Sequence, residues 1–397
     1  MKKRIEIGIG TVNINSKAKR NVIRVLESSR LSYGNFSRKF ETKMAEIHSR
    51  KYAIFVNSGT SALHIALQVL KDKYNWNDND EVLVPAITFV ATANVVLHNR
   101  LKPVFVDVEE DFYCIDPKKI EEKITKKTKA IIPVHLFGQS CEMADILKIA
   151  KKYNLKIVED SCEAMFVKYK NKPVGSTGDI SCYSTYATHL VTTGVGGLVM
   201  TNDDDLAIRL KSYANHGRDG IYLSIDDDNV KGREKLFRIV EKRFSFVHLG
   251  HSFRLTELEA AIGVAQLENW KDIIKKRQLN AQYLTKNLAK WSRHIKLPQI
   301  RERNNHAFML YPILILDPKI SRKAFTEYLE ISGIETRYLM PLLNQPLYIK
   351  LFGDLENKYP VAKNINKNGF IIGCHQDLDI KQLDHIINVF GQYLSKV

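Results

Sequence analysis

The sequence predicts an α/β protein with a large, mainly parallel seven-stranded sheet and a smaller α+β domain at its C-terminal end. Between residues 50 and 200, short apolar runs alternate with amphipathic segments, a pattern typical of a parallel sheet covered by helices. The 397 residues exceed the usual size of one domain. The composition, 44% hydrophobic and 26% charged, is that of a globular chain with a sizeable core.

The seven predicted strands are short apolar runs, and helical patterns separate most of them. Thr256–Leu284 has helical composition and periodicity. Gly217–Lys242, which contains Asp226, Asp227 and Asp228, has no strand pattern and is predicted to be a loop with a short helix. The predicted strands are Ala53–Val56, Glu81–Val84, Lys102–Val106, Ala130–Val134, Lys156–Glu159, Ile180–Ser184 and Gly197–Thr201.

The C-terminal part of the chain predicts a second domain. After the helical segment come Pro298 and a shorter stretch of mixed α and β pattern. Its segments are Ala307–Leu316, Ser321–Gly333 and Asp379–Leu394. We therefore predict a large α/β domain over residues 1–270 and a small α+β domain over residues 271–397.

Charge and cysteine content exclude several classes of protein. The net charge of +16 is compatible with an anionic partner, but the basic residues are scattered, so solvated helix faces explain them better than a nucleic-acid site. No segment has the roughly 18 consecutive apolar residues of a membrane span, and no metal-ligand spacing occurs. The five cysteines are widely spaced and form no Cys-x-x-Cys pair, which favours reduced thiols and a cytoplasmic protein.

A candidate phosphate site lies in Asn57–Leu63, which follows an apolar strand and opens a helical pattern. Gly59, Thr60 and Ser61 would present backbone N–H groups and hydroxyls at a helix N-terminus, where anions bind. Alone this pattern is weak, because a helix start rich in serine and threonine is more often an ordinary cap.

Two further residues lie at predicted carboxyl ends of strands, where ligands of open α/β sheets bind. Phe89 follows a strand and can stack on a flat ring, whereas Asp160 ends another strand and can pair with a protonated ring nitrogen. Taken separately, Phe89 is more simply a core residue and Asp160 a helix cap. Together with the phosphate site, they predict a pocket for pyridoxal phosphate.

These motifs, in this order, resemble the DegT-type family of nucleotide-sugar aminotransferases, pyridoxal-phosphate proteins of aminotransferase fold type I. The resemblance covers nearly the whole chain and implies a homodimer with the active site at the subunit interface. The matching stretches are Asn57–Leu63, Val84–Ala91, Val106–Val108, Ile115–Pro117, Pro133–Gln139, Glu159–Asp160, Ser184–Gly197, His216–Gly217 and Arg254–Leu267.

The resemblance also implies the cofactor contacts. Glu163, where many relatives have glutamine, would lie near the ring hydroxyl. Ser252 occupies the position of an asparagine that reaches the phosphate in a neighbouring subunit. The remaining implied contacts are Gly59, Thr60, Ser61 and Ser184 to the phosphate, and Phe89 and Asp160 to the ring.

The sequence departs from the family at the residue that holds the cofactor. Family aminotransferases carry a lysine five residues after the strand-end serine, here Ser184, but this chain has His189. An imidazole does not condense with an aldehyde to give a stable imine, so the cofactor must be held noncovalently. Such a pocket favours the amino form, pyridoxamine phosphate, while the histidine moves protons near neutral pH.

A histidine at this position resembles the ketosugar 3-dehydratases, typified by GDP-4-keto-6-deoxy-mannose 3-dehydratase (the ColD type). The resemblance implies removal of the 3-hydroxyl of a nucleotide-linked 4-keto-6-deoxy sugar, with His189 as acid and base and L-glutamate as amino donor. A second histidine-bearing branch has a close cysteine cluster for iron and sulfur. Here Cys182 and Cys374 are far apart, so we expect no redox cluster.

Two alternatives to the dehydratase stay open. Loss of the lysine also agrees with a noncatalytic pseudoenzyme that binds the cofactor or a sugar. Val195 is a further departure from the family pattern, which usually has glutamate at this position. An ordinary nucleotide-sugar aminotransferase would need a lysine from elsewhere. The candidate contacts to the substrate, each of which is individually explained as a solvated charge, are His216, Arg218, Arg254 and Arg337.

Overall fold

The computed structural model describes residues 6–220 and 232–396. Seven strands form the main sheet, and each overlaps one of the seven predicted apolar runs. A short hairpin, β6 with β7, lies beside them. The strands up to this point are β1 (Tyr52–Val56), β2 (Glu81–Pro85), β3 (Lys102–Val106), β4 (Thr128–Ile131), β5 (Lys156–Asp160), β6 (Lys168–Tyr169), β7 (Lys172–Pro173), β8 (Ile180–Ser184) and β9 (Gly197–Thr201).

The main sheet is mostly parallel, as predicted. Its strand order is β1-β9-β8-β5-β4-β2-β3, and β9 alone runs antiparallel to its neighbours in this sheet. The carboxyl ends of β1, β2, β5 and β8 therefore share one edge, which carries the predicted cofactor residues. β4 ends at Ile131, before the predicted Val134, because Pro133 has no N–H for a sheet hydrogen bond.

Helices pack against this sheet, and α3 contacts β1, β5, β8 and β9. The segment Thr256–Leu284, which has a helical pattern, forms two helices, and residues 267–269 separate them. The predicted short helix is α7, whereas Asp226, Asp227 and Asp228 lie outside the described residues. The helices are α1 (Ser16–Glu27), α2 (Asn35–Ile47), α3 (Gly59–Lys73), α4 (Val90–His98), α5 (Met143–Tyr153), α6 (Asp204–Ala214), α7 (Arg233–Lys242), α8 (Glu257–Gln266), α9 (Trp270–Leu288), α10 (Arg322–Ile331), α11 (Pro346–Phe352), α12 (Pro360–Asn368) and α13 (Ile380–Leu394).

A second, antiparallel sheet lies in the C-terminal part. Its strands are β10 (Ile295–Lys296), β11 (Tyr311–Ile315), β12 (Thr336–Tyr338) and β13 (Gly369–Ile372), in the order β10-β11-β13-β12.

Each sheet has its own apolar core, and α9 contributes to both of them. Ile274 packs with the core of the main sheet, whereas Leu284 packs with that of the smaller one. Ile7 also joins the second core, through backbone hydrogen bonds to residues 333 and 335. The division at residue 270 stays a prediction. Within residues 6–220 and 232–396, no helix is long and apolar enough to cross a bilayer.

Candidate active site

The residues predicted to bind the phosphate lie where β1 leads into α3. Ser58 is the N-cap of α3, and its hydroxyl accepts a hydrogen bond from the Ser61 N–H at 3.0 Å. The Ser61 N–H is therefore occupied by the cap, contrary to expectation, and Ser61 offers its hydroxyl instead. In the described part of the chain the N–H groups of Gly59 and Thr60 make no hydrogen bond. They lie at the positive end of the helix dipole, which suits an anion.

Two glycines bring neighbouring strands close to this turn. A Cβ on Gly59 would lie 2.9 Å from both the Cys162 sulfur and the Ser184 Cβ. A Cβ on Gly197 would lie 2.4 Å from the carbonyl carbon of Ser58. Only residues without a side chain allow this approach, so the turn is held tightly between β5, β8 and β9.

The ring-binding candidates lie beside this turn. Phe89 is the N-cap of α4 and is 59% exposed, so it is not a core residue. Asp160 is buried, and no helix follows it before β6, so it is not a helix cap either. Its oxygens accept hydrogen bonds from the Thr92 hydroxyl at 2.8 Å and the Cys162 N–H at 3.2 Å. Burial raises the pKa of Asp160, and a protonated ring nitrogen would supply the missing positive charge.

His189 lies in the turn that follows β8. Its Nδ1 lies 2.8 Å from the carbonyl oxygen of Cys162. Because a carbonyl oxygen only accepts, we assign the proton of the neutral ring to Nδ1, which leaves the Nε2 lone pair as the basic position. Burial lowers the pKa of His189 to about 4, although the carbonyls of Cys162 and Ser184 act in the opposite direction. The imidazole is therefore neutral at pH 7.

Two further cofactor candidates flank this region. Glu163 accepts a hydrogen bond from the Phe137 N–H at 2.8 Å, and burial raises the pKa of its carboxyl to about 7. Ser184 is buried at the end of β8, where its hydroxyl accepts a hydrogen bond from the Tyr186 N–H at 3.3 Å. The proton of the Ser184 hydroxyl has no acceptor among the described residues.

Of the four substrate candidates, His216 and Arg254 are in contact with each other. The Arg254 guanidinium lies 2.9 Å from His216 Nε2 and donates to the Ser252 hydroxyl at 3.0 Å. Arg218 is near this group along the chain and pairs through its backbone with residue 246. Arg337 lies apart in β12, where it forms an ion pair with Glu335. No contact links Arg337 to the others within the described ranges.

The sequence analysis missed three contributors to the site. Thr92 orients Asp160, the Cys162 carbonyl orients His189, and Gly197 admits the Ser58–Gly59 peptide. Thr92 lies one helical turn after Thr88, and the two hydroxyls are 2.8 Å apart, so a polar pair at the start of α4 was the available signal. A backbone carbonyl gives no signal in a sequence.

Comparisons with known proteins identify the family of the chain. The model of the DegT/DnrJ/EryC1/StrS aminotransferase family matches residues 12–390. GDP-perosamine synthase of Caulobacter vibrioides is 32% identical over 365 residues, which are 91% of each chain. Helicobacter pylori PseC, an aminotransferase involved in the biosynthesis of pseudoaminic acid, has a TM-score of 0.87 and 28% identity, covering 99% of this chain and 100% of its own.

A dehydratase is equally similar in structure. Escherichia coli GDP-4-keto-6-deoxy-D-mannose-3-dehydratase with bound hydrated PLP has a TM-score of 0.88 and 26% identity, covering 98% of this chain and 100% of its own. An enzyme of that name was also solved with PLP and glutamate trapped together. The chain therefore belongs to the DegT/DnrJ/EryC1/StrS aminotransferase family, whose fold is that of the pyridoxal-phosphate-dependent aminotransferases of fold type I and whose cofactor is pyridoxal phosphate.

Proposed function

We propose that this protein is a dehydratase that uses pyridoxamine phosphate to remove the 3-hydroxyl of a nucleotide-linked 4-keto-6-deoxy sugar, yielding a 3-deoxy-4-keto sugar. The observation that carries the proposal is His189, which stands where family aminotransferases have the cofactor-binding lysine. A GDP-linked hexose or heptose is the proposed substrate, and the likeness to GDP-4-keto-6-deoxymannose 3-dehydratase supports it.

The described residues suit the cofactor at both of its ends. The free N–H groups of Gly59 and Thr60 and the Ser184 hydroxyl would hold the phosphate. Exposed Phe89 would stack on the ring, and buried Asp160 would accept a hydrogen bond from the ring nitrogen. When bound, pyridoxamine phosphate supplies a primary amine for the 4-keto group and a ring that accepts electrons.

In the proposed mechanism His189 moves the proton. The Cys162 carbonyl holds its Nδ1–H, so Nε2 is the atom that would accept a proton from the methylene carbon of bound pyridoxamine phosphate. With a pKa near 4 the ring is almost entirely neutral at pH 7, so this base needs no prior deprotonation. The resulting imidazolium would then give its proton to the 3-hydroxyl, which would leave as water.

The proposal includes an amino donor, a dimer and a location. L-Glutamate would restore the amine, as the structure of the related dehydratase with PLP and glutamate suggests by analogy. The five cysteines are all unpaired, which supports a cytoplasmic location.

A row of exposed apolar side chains supports a homodimer, because monomers rarely leave such a surface in water. These residues are Phe237, Val240, Phe244, Phe246, Val247 and Leu249.

A sugar aminotransferase is the second candidate. The likeness to GDP-perosamine synthase and to PseC favours it. His189 argues against it, because transfer of an amino group to a sugar in this family relies on the lysine that is replaced here.

The deciding experiment incubates the purified protein with pyridoxal phosphate, glutamate and GDP-4-keto-6-deoxymannose. We expect one ammonia and one 2-oxoglutarate for each product molecule, and a product lighter than the substrate by one oxygen atom. An amino sugar without free ammonia would establish the aminotransferase. If glutamate converts the cofactor while the ketosugar is unchanged, the substrate assignment is wrong. If neither reaction occurs, the pseudoenzyme alternative holds.

A further inference from the structure

A cavity lies at the opposite edge of the main sheet from the cofactor residues. Its volume is about 740 Å³, and its lining includes Thr128 and Lys156, where β4 and β5 begin. Asp160 lies at the other end of β5. Because a strand rises about 3.3 Å per residue, Lys156 and Asp160 are separated by roughly 13 Å along the strand. The cavity is therefore distinct from the candidate active site.

Aromatic rings and lysines line this cavity, and no aspartate or glutamate of the described residues does. Tyr74 and Tyr153 are each 38% exposed. The ammonium groups of Lys156 and Lys152 lie 4.4 Å and 4.9 Å from the centroids of these two rings, so a ligand can stack only on the part of each ring that the lysine leaves open. Trp76 lies deeper and is buried. Asn154, in a left-handed backbone conformation after α5, adds a side-chain amide at the rim. The aromatic surface and the amide suit a nucleobase, which stacks on one face and forms hydrogen bonds along its edge.

Among the described residues, two of the three lysines are paired with carboxylates outside the lining, and the third is not. The amine of Lys129 is 3.8 Å from Asp80, and that of Lys156 is 3.4 Å from Asp179, so both pairs are longer than a close ion pair. Exposed Lys126 forms no ion pair within residues 6–220 and 232–396. Three lysines beside two carboxylates leave a net positive charge at a concave surface that no carboxylate of the described residues lines, and such a surface attracts an anion.

We propose that this cavity is a binding site for a nucleoside diphosphate, separate from the active site. The base would stack on Tyr153, and the diphosphate would lie among Lys126, Lys129 and Lys156. The volume is within the range of roughly 300–1,000 Å³ that is usual for small-molecule sites. The proposal does not depend on the proposed reaction, because it uses none of the cofactor residues.

The test measures binding of GDP, and separately of inorganic pyrophosphate, to the cofactor-loaded protein by titration calorimetry. The variant combines Lys126→Ala with Tyr153→Ala. The matched control is Lys127→Ala, which removes an exposed neighbouring charge that does not line the cavity. We expect the GDP that binds in this cavity to bind the double variant at least tenfold more weakly than it binds the wild type. The control variant should bind GDP as the wild type does. Pyrophosphate should bind the wild type more weakly than GDP does.

Three results would overturn the proposal. GDP binding that is equal in the wild type and the double variant would place all nucleotide binding elsewhere, and no GDP binding by the wild type would remove the site. Pyrophosphate that binds as tightly as GDP, with no effect of Tyr153→Ala alone, would reduce the cavity to a phosphate site. Turnover of the ketosugar by the double variant should equal that of the wild type, so failure of this proposal is distinguishable from failure of the proposed function.

Discussion

The close approach of Gly197 to the turn before α3 makes Gly197→Ala a sharp test of the phosphate site. The new Cβ would lie 2.4 Å from the carbonyl carbon and oxygen of Ser58 and 2.5 Å from the nitrogen of Gly59. Ordinary contacts begin near 3.4 Å, so the two backbones must separate by about 1 Å. Both partners are backbone atoms, one in β9 and the other at the start of α3, and neither can turn aside as a side chain does.

The size of the effect follows from that displacement. Overpacking of this kind costs about 1–3 kcal/mol of folding free energy. A shift of about 1 Å at the N-terminus of α3 also stretches the hydrogen bonds that Gly59 and Thr60 would donate to the cofactor phosphate. A hydrogen bond to a charged group contributes about 1.5–3 kcal/mol. Loss of one such bond weakens cofactor binding about tenfold to a hundredfold.

The assay titrates pyridoxal phosphate into the apoprotein and follows the visible absorbance of the cofactor, with urea unfolding measured in parallel. Gly391→Ala is the control, because position 391 lies in α13 and its Cβ would meet no atom closer than 4.0 Å. Alanine there should stabilise the helix by about 0.5–1 kcal/mol and leave cofactor affinity unchanged. If Gly197→Ala lowers stability but binds the cofactor normally, the phosphate does not lie in this turn.

Three further predictions concern single side chains. His189→Lys should restore covalent attachment of the cofactor, which mass spectrometry detects after borohydride reduction. His189→Asn should still bind the cofactor but slow turnover by at least about a hundredfold. Normal turnover of the Asn variant would remove His189 from the mechanism. Thr92→Val removes a donor to Asp160 and should weaken cofactor binding about threefold to tenfold in the same titration, and an unchanged affinity would mean that Asp160 does not meet the ring. Burial lowers the pKa of His48 from its usual 6.5 to about 4, so the unfolded chain binds more protons below pH 6.5 and the free energy of unfolding falls as the pH drops towards 4. In urea denaturation at pH 7 and pH 4.5, His48→Gln should reduce that fall by about 2 kcal/mol, and an equal fall in both proteins would contradict it.

The sequence predicts the main sheet well because its strands are contiguous apolar runs. Their burial is encoded locally, in five residues or fewer for each strand. The smaller sheet is harder, since β10 has two residues and is defined by its pairing with β11 rather than by a pattern of its own. The same holds for the pairing of Ile7 with Ile334, which joins positions at opposite ends of the chain.

The candidate site was predictable where side-chain type decides the chemistry. Phe89 and Asp160 each have a simpler explanation alone, and they are recognisable only in combination with the phosphate motif and with His189 at the position of the family's lysine. What the sequence does not contain is the orientation of these groups. The Thr92 hydroxyl and the Cys162 carbonyl provide it, and both reach their partners only after β2, β5 and β8 have come together in the sheet.

The turn that carries His189 holds the imidazole in a fixed orientation, as the proposed proton transfer requires. Thr185 and Thr193 close the turn, with the Thr193 N–H donating to the Thr185 carbonyl at 2.9 Å and the two hydroxyls 2.6 Å apart. Inside it, the His189 N–H donates to the Tyr186 carbonyl at 2.9 Å, while the ring is fixed by Cys162. A lysine chain would be long and mobile, as a covalent tether allows. A short imidazole with one nitrogen anchored and the other left basic has the geometry that a proton acceptor requires.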